Sequence, residues 1–153
     1  TDATATAAMD KASSAAVTAC LLIAVAALHT QALSLEQLRQ TSKIVRNMCL
    51  KKTGVDLALV EGIQEGQFPD NQDLKCYMKC CMGAMQVLRQ GRYNVNAAKN
   101  QADKMLPPDL KGRFIDMLDA CSDRGDGVDD DCEMAYQLTK CSYETDKEIF
   151  LFP

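Results

Sequence analysis

Seven cysteines fall within residues 49–141 of this chain: Cys49, Cys76, Cys80, Cys81, Cys121, Cys132 and Cys141. An eighth, Cys20, lies ahead of them in a chain of 153 residues. So dense a set allows two architectures, a disulfide framework or a metal cluster. Zinc held by cysteines alone normally shows paired knuckles two to four residues apart, and only Cys76 and Cys80 come close. No metal and no cofactor is therefore expected. Which architecture holds depends on the compartment, and the N-terminal part of the chain speaks to that.

Met9-Asp10-Lys11 gives a basic start, Ala15 to Leu28 an apolar run, and His29-Thr30-Gln31-Ala32 a close on a small residue. These are the three parts of a secretory signal peptide. The flanks favour that reading over a buried core helix, and the run is too short for a membrane span, which needs ~20 apolar residues. Residues 1–8 read as leader sequence ahead of Met9. The chain is thus expected to divide into residues 1–32, a leader and signal removed on export, and residues 33–153, one secreted domain. Export places the cysteines in an oxidising space, where they pair.

Removal of the signal takes away His29, the only histidine. A chain without histidine is poorly equipped for acid–base chemistry near neutral pH. The net charge of −4 gives no basic footprint for nucleic acid. Serine hydrolysis lacks both a base and a G-x-S-x-G turn. A secreted phospholipase would follow its Cys-Cys pair with His-Asp, and here Met82-Gly83-Ala84 follows Cys80-Cys81. In the acidic stretch Asp123 to Asp131, Gly125 and Gly127 occupy positions where an EF-hand needs ligands, so a solvated loop and helix cap is expected there. The chain is not expected to be an enzyme.

The domain reads as helix after helix. Ser34-Leu35-Glu36-Gln37 has the form of a capping box and opens an amphipathic run through Leu35, Leu38, Ile44, Val45 and Met48, ended by Gly54. A short second helix spans Val55 to Ile63. A third, capped within Asp70 to Asp73, is expected to reach Arg89 before Gly91. A fourth begins at Asn94 or Asn96 and stops at Pro107-Pro108, prolines that also suit the first turn of a fifth, Asp109 to Ala120. Asp129-Asp130-Asp131 opens a sixth, to about Glu144. The fold class is all-α: about six helices.

Cys76 and Cys80 lie four apart on the third helix, on one face. Cys132 and Cys141 lie half a turn out of phase on the sixth, which can therefore be tied on both flanks. Six cysteines admit 15 pairings, and spacing does not choose among them. The order Cys49-x26-Cys76-x3-Cys80-x40-Cys121-x10-Cys132-x8-Cys141 resembles the six-cysteine insect odorant-binding proteins of the pheromone and general type. Lys75-Cys76-Tyr77-Met78-Lys79-Cys80 resembles their third-helix signature, and Cys132 to Cys141 with Ala135-Tyr136 resembles their sixth. The likeness covers about Leu35 to Pro153. It implies three interlocked bridges, Cys49–Cys80, Cys76–Cys132 and Cys121–Cys141, around an internal apolar cavity. Cys81 departs from the pattern: it is a buried thiol, an intermolecular bridge, or a mispairing alternative to Cys80.

Met82, Met85 and Leu88 on the third helix, with Leu106, Phe114, Ile115, Met117 and Leu118 on the fourth and fifth, recur at helical spacing. Methionine adapts to varied apolar shapes. Ordinary core packing is the competing reading for each of them; the resemblance places the fifth helix and the chain end on a pocket wall, and these residues, with Tyr136, are candidate ligand contacts. The tail Phe150, Leu151, Phe152, Pro153 is a pocket wall in relatives with a tail of medium length; a surface dock or a dimer contact are its alternatives. Tyr136, Tyr143 or tail backbone would orient the ligand. The function implied is an extracellular carrier of small hydrophobic molecules such as odorants or pheromone-like alcohols, esters and terpenoids. An olfactory receptor is an implied partner, sensillar lymph or a similar fluid an implied location, and the protein a monomer or weak homodimer. The rival reading is a disulfide-rich helical interaction or lipid-transfer protein, whose plant form should carry a C-x-C absent here. Any acid-driven release must use carboxylates, that of Pro153 among them.

Overall fold

A computed structural model describes residues 34–153. The expected leader and signal, with Cys20 and His29, lie outside the described residues. Six helices follow one another: α1 (Leu35–Thr53), α2 (Leu57–Gln64), α3 (Gln72–Ala84), α4 (Val95–Met105), α5 (Pro108–Ala120) and α6 (Asp131–Thr145). Between α3 and α4 lie two short strands, β1 (Leu88–Arg89) and β2 (Arg92–Tyr93).

Five of the six helices start where a side chain can accept from their orphaned amides. The Ser34 hydroxyl accepts from the Gln37 N–H while the Gln37 side chain accepts from the Ser34 N–H, completing the capping box of α1. Asp56, Asn71, Asn94 and Asp130 cap α2, α3, α4 and α6 in the same way. Only α5 lacks a side-chain cap, and there Pro108 occupies the first turn, where its missing N–H costs nothing.

The third helix is shorter than the sequence pattern predicts. It ends at Ala84 because Gln86 adopts a left-handed φ of 61°. The Gln86 N–H then donates to Gly83 O and the Val87 N–H to Met82 O, a Schellman ending with glutamine in the place glycine usually takes. Gln90 and Gly91, with φ of 51° and 69°, turn the chain tightly, and Leu88 pairs with Tyr93 and Arg89 with Arg92. Met85 therefore caps a helix and Leu88 sits on a strand.

Three disulfides fasten the helices. Cys49–Cys80 joins α1 to α3, Cys76–Cys132 joins α3 to α6, and Cys121–Cys141 joins the residue ending α5 to α6. Cys81 is free and fully buried. Burial pushes its thiol up to about 12, and shields it from pairing with another chain. Cys81 belongs to the same core cluster as the fully buried Ile63, Leu74, Tyr77 and Met78. The amphipathic reading of α1 is corrected at two positions: Ile44 and Met48 are 71% and 48% exposed. They stand about 100–140° around the helix from Cys49, which is fully buried in the core.

Candidate ligand-binding cavity

A cavity of about 530 Å³ lies among the helices and the C-terminal segment. Its walls are built from residues that the helical period turns inward. From α3 and its cap come Met82 and Met85; from α4, Ala98, Ala102 and Met105, followed by Leu106; from α5, Phe114, Met117 and Leu118. Ala98 and Ala102 lie four apart, so α4 presents a strip of methyl groups where larger side chains would fill the space. Leu38 and Val45 of α1, Val60 of α2, Val87 after α3 and Leu138 of α6 add to the apolar lining.

The polar groups of α6 at the wall are already satisfied. The Thr139 hydroxyl donates to Ala135 O at 2.7 Å and the Ser142 hydroxyl to Leu138 O at 2.9 Å. Each spends its donor on the preceding turn, which lowers the polarity shown to the cavity. Gln101 likewise donates to Met85 O at 2.7 Å. Tyr93 is mostly removed from water, and burial pushes its phenol up to about 12.

The C-terminal segment contributes Phe150, Leu151, Phe152 and Pro153 to the lining. It is anchored twice. The buried Tyr77 hydroxyl donates to Pro153 O at 2.9 Å, and Gln64 donates to Phe152 O at 2.8 Å. Burial raises the Tyr77 pKa far above its ordinary value, keeping the phenol protonated and able to donate. An aromatic series runs from Phe68 through Tyr143 and Phe150 to Phe152, with centroids 5.6, 5.3 and 6.1 Å apart. Ahead of the segment, Arg113 of α5 grips Asp146 and Glu148, at 2.7 and 3.0 Å.

Nine of the twelve residues expected at a ligand site line this cavity: Met82, Met85, Leu106, Phe114, Met117, Leu118, Phe150, Leu151 and Phe152. Leu88, Ile115 and Tyr136 are not among its lining residues. Leu88 left the cavity wall when α3 ended early, and packs in the core from β1. Ile115 stands one position, about 100°, from Phe114 on α5. Tyr136 turns away, donating its hydroxyl to Phe68 O with Lys75 Nζ 5.2 Å from its ring centroid. Tyr143, the other expected polar contact, packs on Gly66, where an added Cβ would fall 2.6 Å from the tyrosine ring.

The sequence reading missed the α1 wall. Besides Leu38 and Val45, Arg39, Lys43 and Arg46 line the cavity. A signal was present, since these three cations lie at i, i+4 and i+7.

Comparison with known proteins agrees with the architecture. General odorant-binding protein 72 of Anopheles gambiae is 36% identical over 118 residues, covering 77% of this chain and 97% of that relative. General odorant-binding protein 19a of Drosophila melanogaster is 28% identical over 121 residues, covering 77% and 82%. Among solved structures, Apis mellifera odorant binding protein 5 superposes with a TM-score of 0.75 at 29% identity, covering 80% of this chain and all of that one. Odorant binding protein 4 of Chrysopa pallens gives 0.73 at 28%, covering 79% and 99%. The sequence profile of the PBP/GOBP family matches residues 31–145, three-quarters of the chain and all six bridged cysteines, and the protein belongs to that family.

Proposed function

We propose that this protein is a secreted carrier of small hydrophobic molecules, with the cavity of about 530 Å³ as its binding site. The observation that carries the reading is that space itself, lined by methionine, leucine, phenylalanine and alanine inside a shell held by three disulfides. Its volume falls in the range of small-molecule sites, roughly 300–1,000 Å³. The relatives' names, odorant-binding proteins from several insects, support the same class of cargo. The family of the relatives supports a carrier rather than an enzyme. The described helices include none long and apolar enough to cross a membrane.

The C-terminal segment serves as a wall, fixed by Tyr77, Gln64 and the aromatic series. Binding energy comes from apolar burial. Ten methylenes give a gross ~8 kcal/mol at ~0.8 each, and association and ordering costs offset part of it. Dissociation constants near the micromolar range follow. The test is titration of the oxidised protein with an apolar fluorescent probe, then competition with medium-chain alcohols, esters and terpenoids. Saturable binding with displacement is expected. Its absence from correctly bridged protein would mean that the cavity takes no ligand and that the carrier reading is wrong.

A further inference from the structure

The charges around the cavity are one-sided. Arg39, Lys43 and Arg46 line it; among the described residues the acidic groups that do so are Glu148 and the carboxylate of Pro153, whose oxygen is held by the Tyr77 hydroxyl. That imbalance runs against the chain as a whole, in which acids outnumber bases and the net charge is −4. All three cations come from α1. Their spacing sets them within an arc of about 60° on one edge of the helix. The neighbouring face of α1 carries Leu38 and Val45 toward the apolar interior.

The ion pairs strengthen the bias. Glu148 is already bound by Arg113 at 3.0 Å, and Asp146 shares that guanidinium. Arg46 reaches Glu61 only at 3.4 Å. Arg39 and Lys43 are exposed and form no ion pair among the described residues. The site therefore combines an apolar chamber with an α1 rim at which Arg39 and Lys43 pair with no acidic group among the described residues.

We infer that the preferred cargo is an amphiphile with an anionic head, a medium-chain carboxylate, whose hydrocarbon chain lies among the methionines while its head meets Arg39 and Lys43. The inference rests on the carrier reading and narrows its ligand class. A neutral alcohol or ester of the same chain length fills the chamber equally well but gains nothing at the rim. A carboxylate accepts charge-assisted hydrogen bonds from guanidinium and ammonium donors. At a partly exposed site such contacts are screened, so the advantage expected is modest, about tenfold in dissociation constant.

The test compares dodecanoate with 1-dodecanol and methyl dodecanoate by calorimetric titration of the oxidised full chain at pH 7. Dodecanoate is expected to bind about tenfold tighter at low ionic strength, with most of that margin lost near 1 M salt, where the Debye length is ~3 Å. In the R39Q/K43Q variant the acid-to-alcohol ratio should fall to near one. The variant K51Q/K52Q removes the same charge from the last turn of α1, away from the cavity, and should keep the ratio. Equal binding of acid and alcohol by the unaltered protein overturns the inference and leaves the carrier reading intact, as does a preference that survives R39Q/K43Q. An equal loss of preference in K51Q/K52Q also overturns it, because net charge rather than the rim would then be responsible. Failure of all three compounds to bind removes both readings.

Discussion

The α3–α6 side and the α4–α5 side of this molecule solve opposite problems. Leu74, Tyr77, Met78 and Ala135 on α3 and α6 are completely buried, with Cys76–Cys132 between the helices. Lys75, whose side chain is only 12% exposed, binds Asp70 and Glu133, while Lys79 binds Asp131 at 3.0 Å. On the other side α4 carries no cysteine and meets α5 through ion pairs, Lys99 with Asp119 and Lys111 with Asp103. There Ala98 and Ala102 leave room where a core would be filled. The difference teaches that covalent and fully packed contacts concentrated in one half let the other stay partly empty. An empty interior costs stability, and the bridges offset it through the unfolded chain.

The sharpest way to break this comparison is to cut the bridges one at a time. Cys76–Cys132 spans 56 residues and Cys121–Cys141 spans 20. Loop-closure entropy then gives about 4 kcal/mol for the first and about 3 kcal/mol for the second. Urea unfolding of C76A/C132A and C121A/C141A should show losses in that order. A larger loss from the second pair would place the stabilising burden on the cavity side and undo the comparison.

A smaller effect comes from one chemical change made on both sides. Leu74 is fully buried in the packed half, and Leu74→Ala is expected to cost about 3 kcal/mol. Leu106 borders open space, so Leu106→Ala removes fewer contacts and should cost nearer 1–2 kcal/mol. Equal denaturation losses would mean that the space around Leu106 is effectively filled. Leu106→Ala should also shift the preference toward bulkier ligands, read from competition curves.

The least effect is expected from mild acid. The hydrogen bond from Lys75, then that from Gln137, holds the Glu133 carboxyl below its ordinary range. A lowered folded-state value means that Glu133 stabilises the fold at neutral pH, and that this is lost only as pH falls from about 4.3 through the lowered value. Urea midpoints and ligand affinity should therefore stay level between pH 7 and 6, with the midpoint dropping below about pH 4. Lys75→Met should lower the neutral-pH midpoint and flatten the acid limb. A fall already present between pH 7 and 6 would point to some group other than this clamp.

Much of the helical frame was legible in the sequence because its signals are local. Ser34 with Gln37, Asn94, Pro108 and Asp130 announce helix starts through backbone chemistry that needs no tertiary context. The end of α3 was not legible, because Gln86 and Gln90 adopt positive φ where glycine or asparagine would have announced it. That one miss carried Leu88 to the wrong place. Tyr136 misled for a different reason: helical phase tells which face a residue takes, and only packing tells which neighbour that face meets. The bridges needed the family likeness, since spacing left 15 pairings open.

Cys81 sits directly after Cys80, so a free thiol lies one residue from a structural bridge. Exchange between thiol and disulfide requires the thiolate. With its pKa pushed up to about 12 inside the core, Cys81 holds almost no thiolate near neutral pH, and the native connectivity is chemically locked as well as packed. The unfolded chain has no such lock, since there Cys80 and Cys81 are near-equivalent partners for Cys49. Burial of Cys81 thus keeps the thiol next to the Cys49–Cys80 bridge from competing with it once the fold has formed.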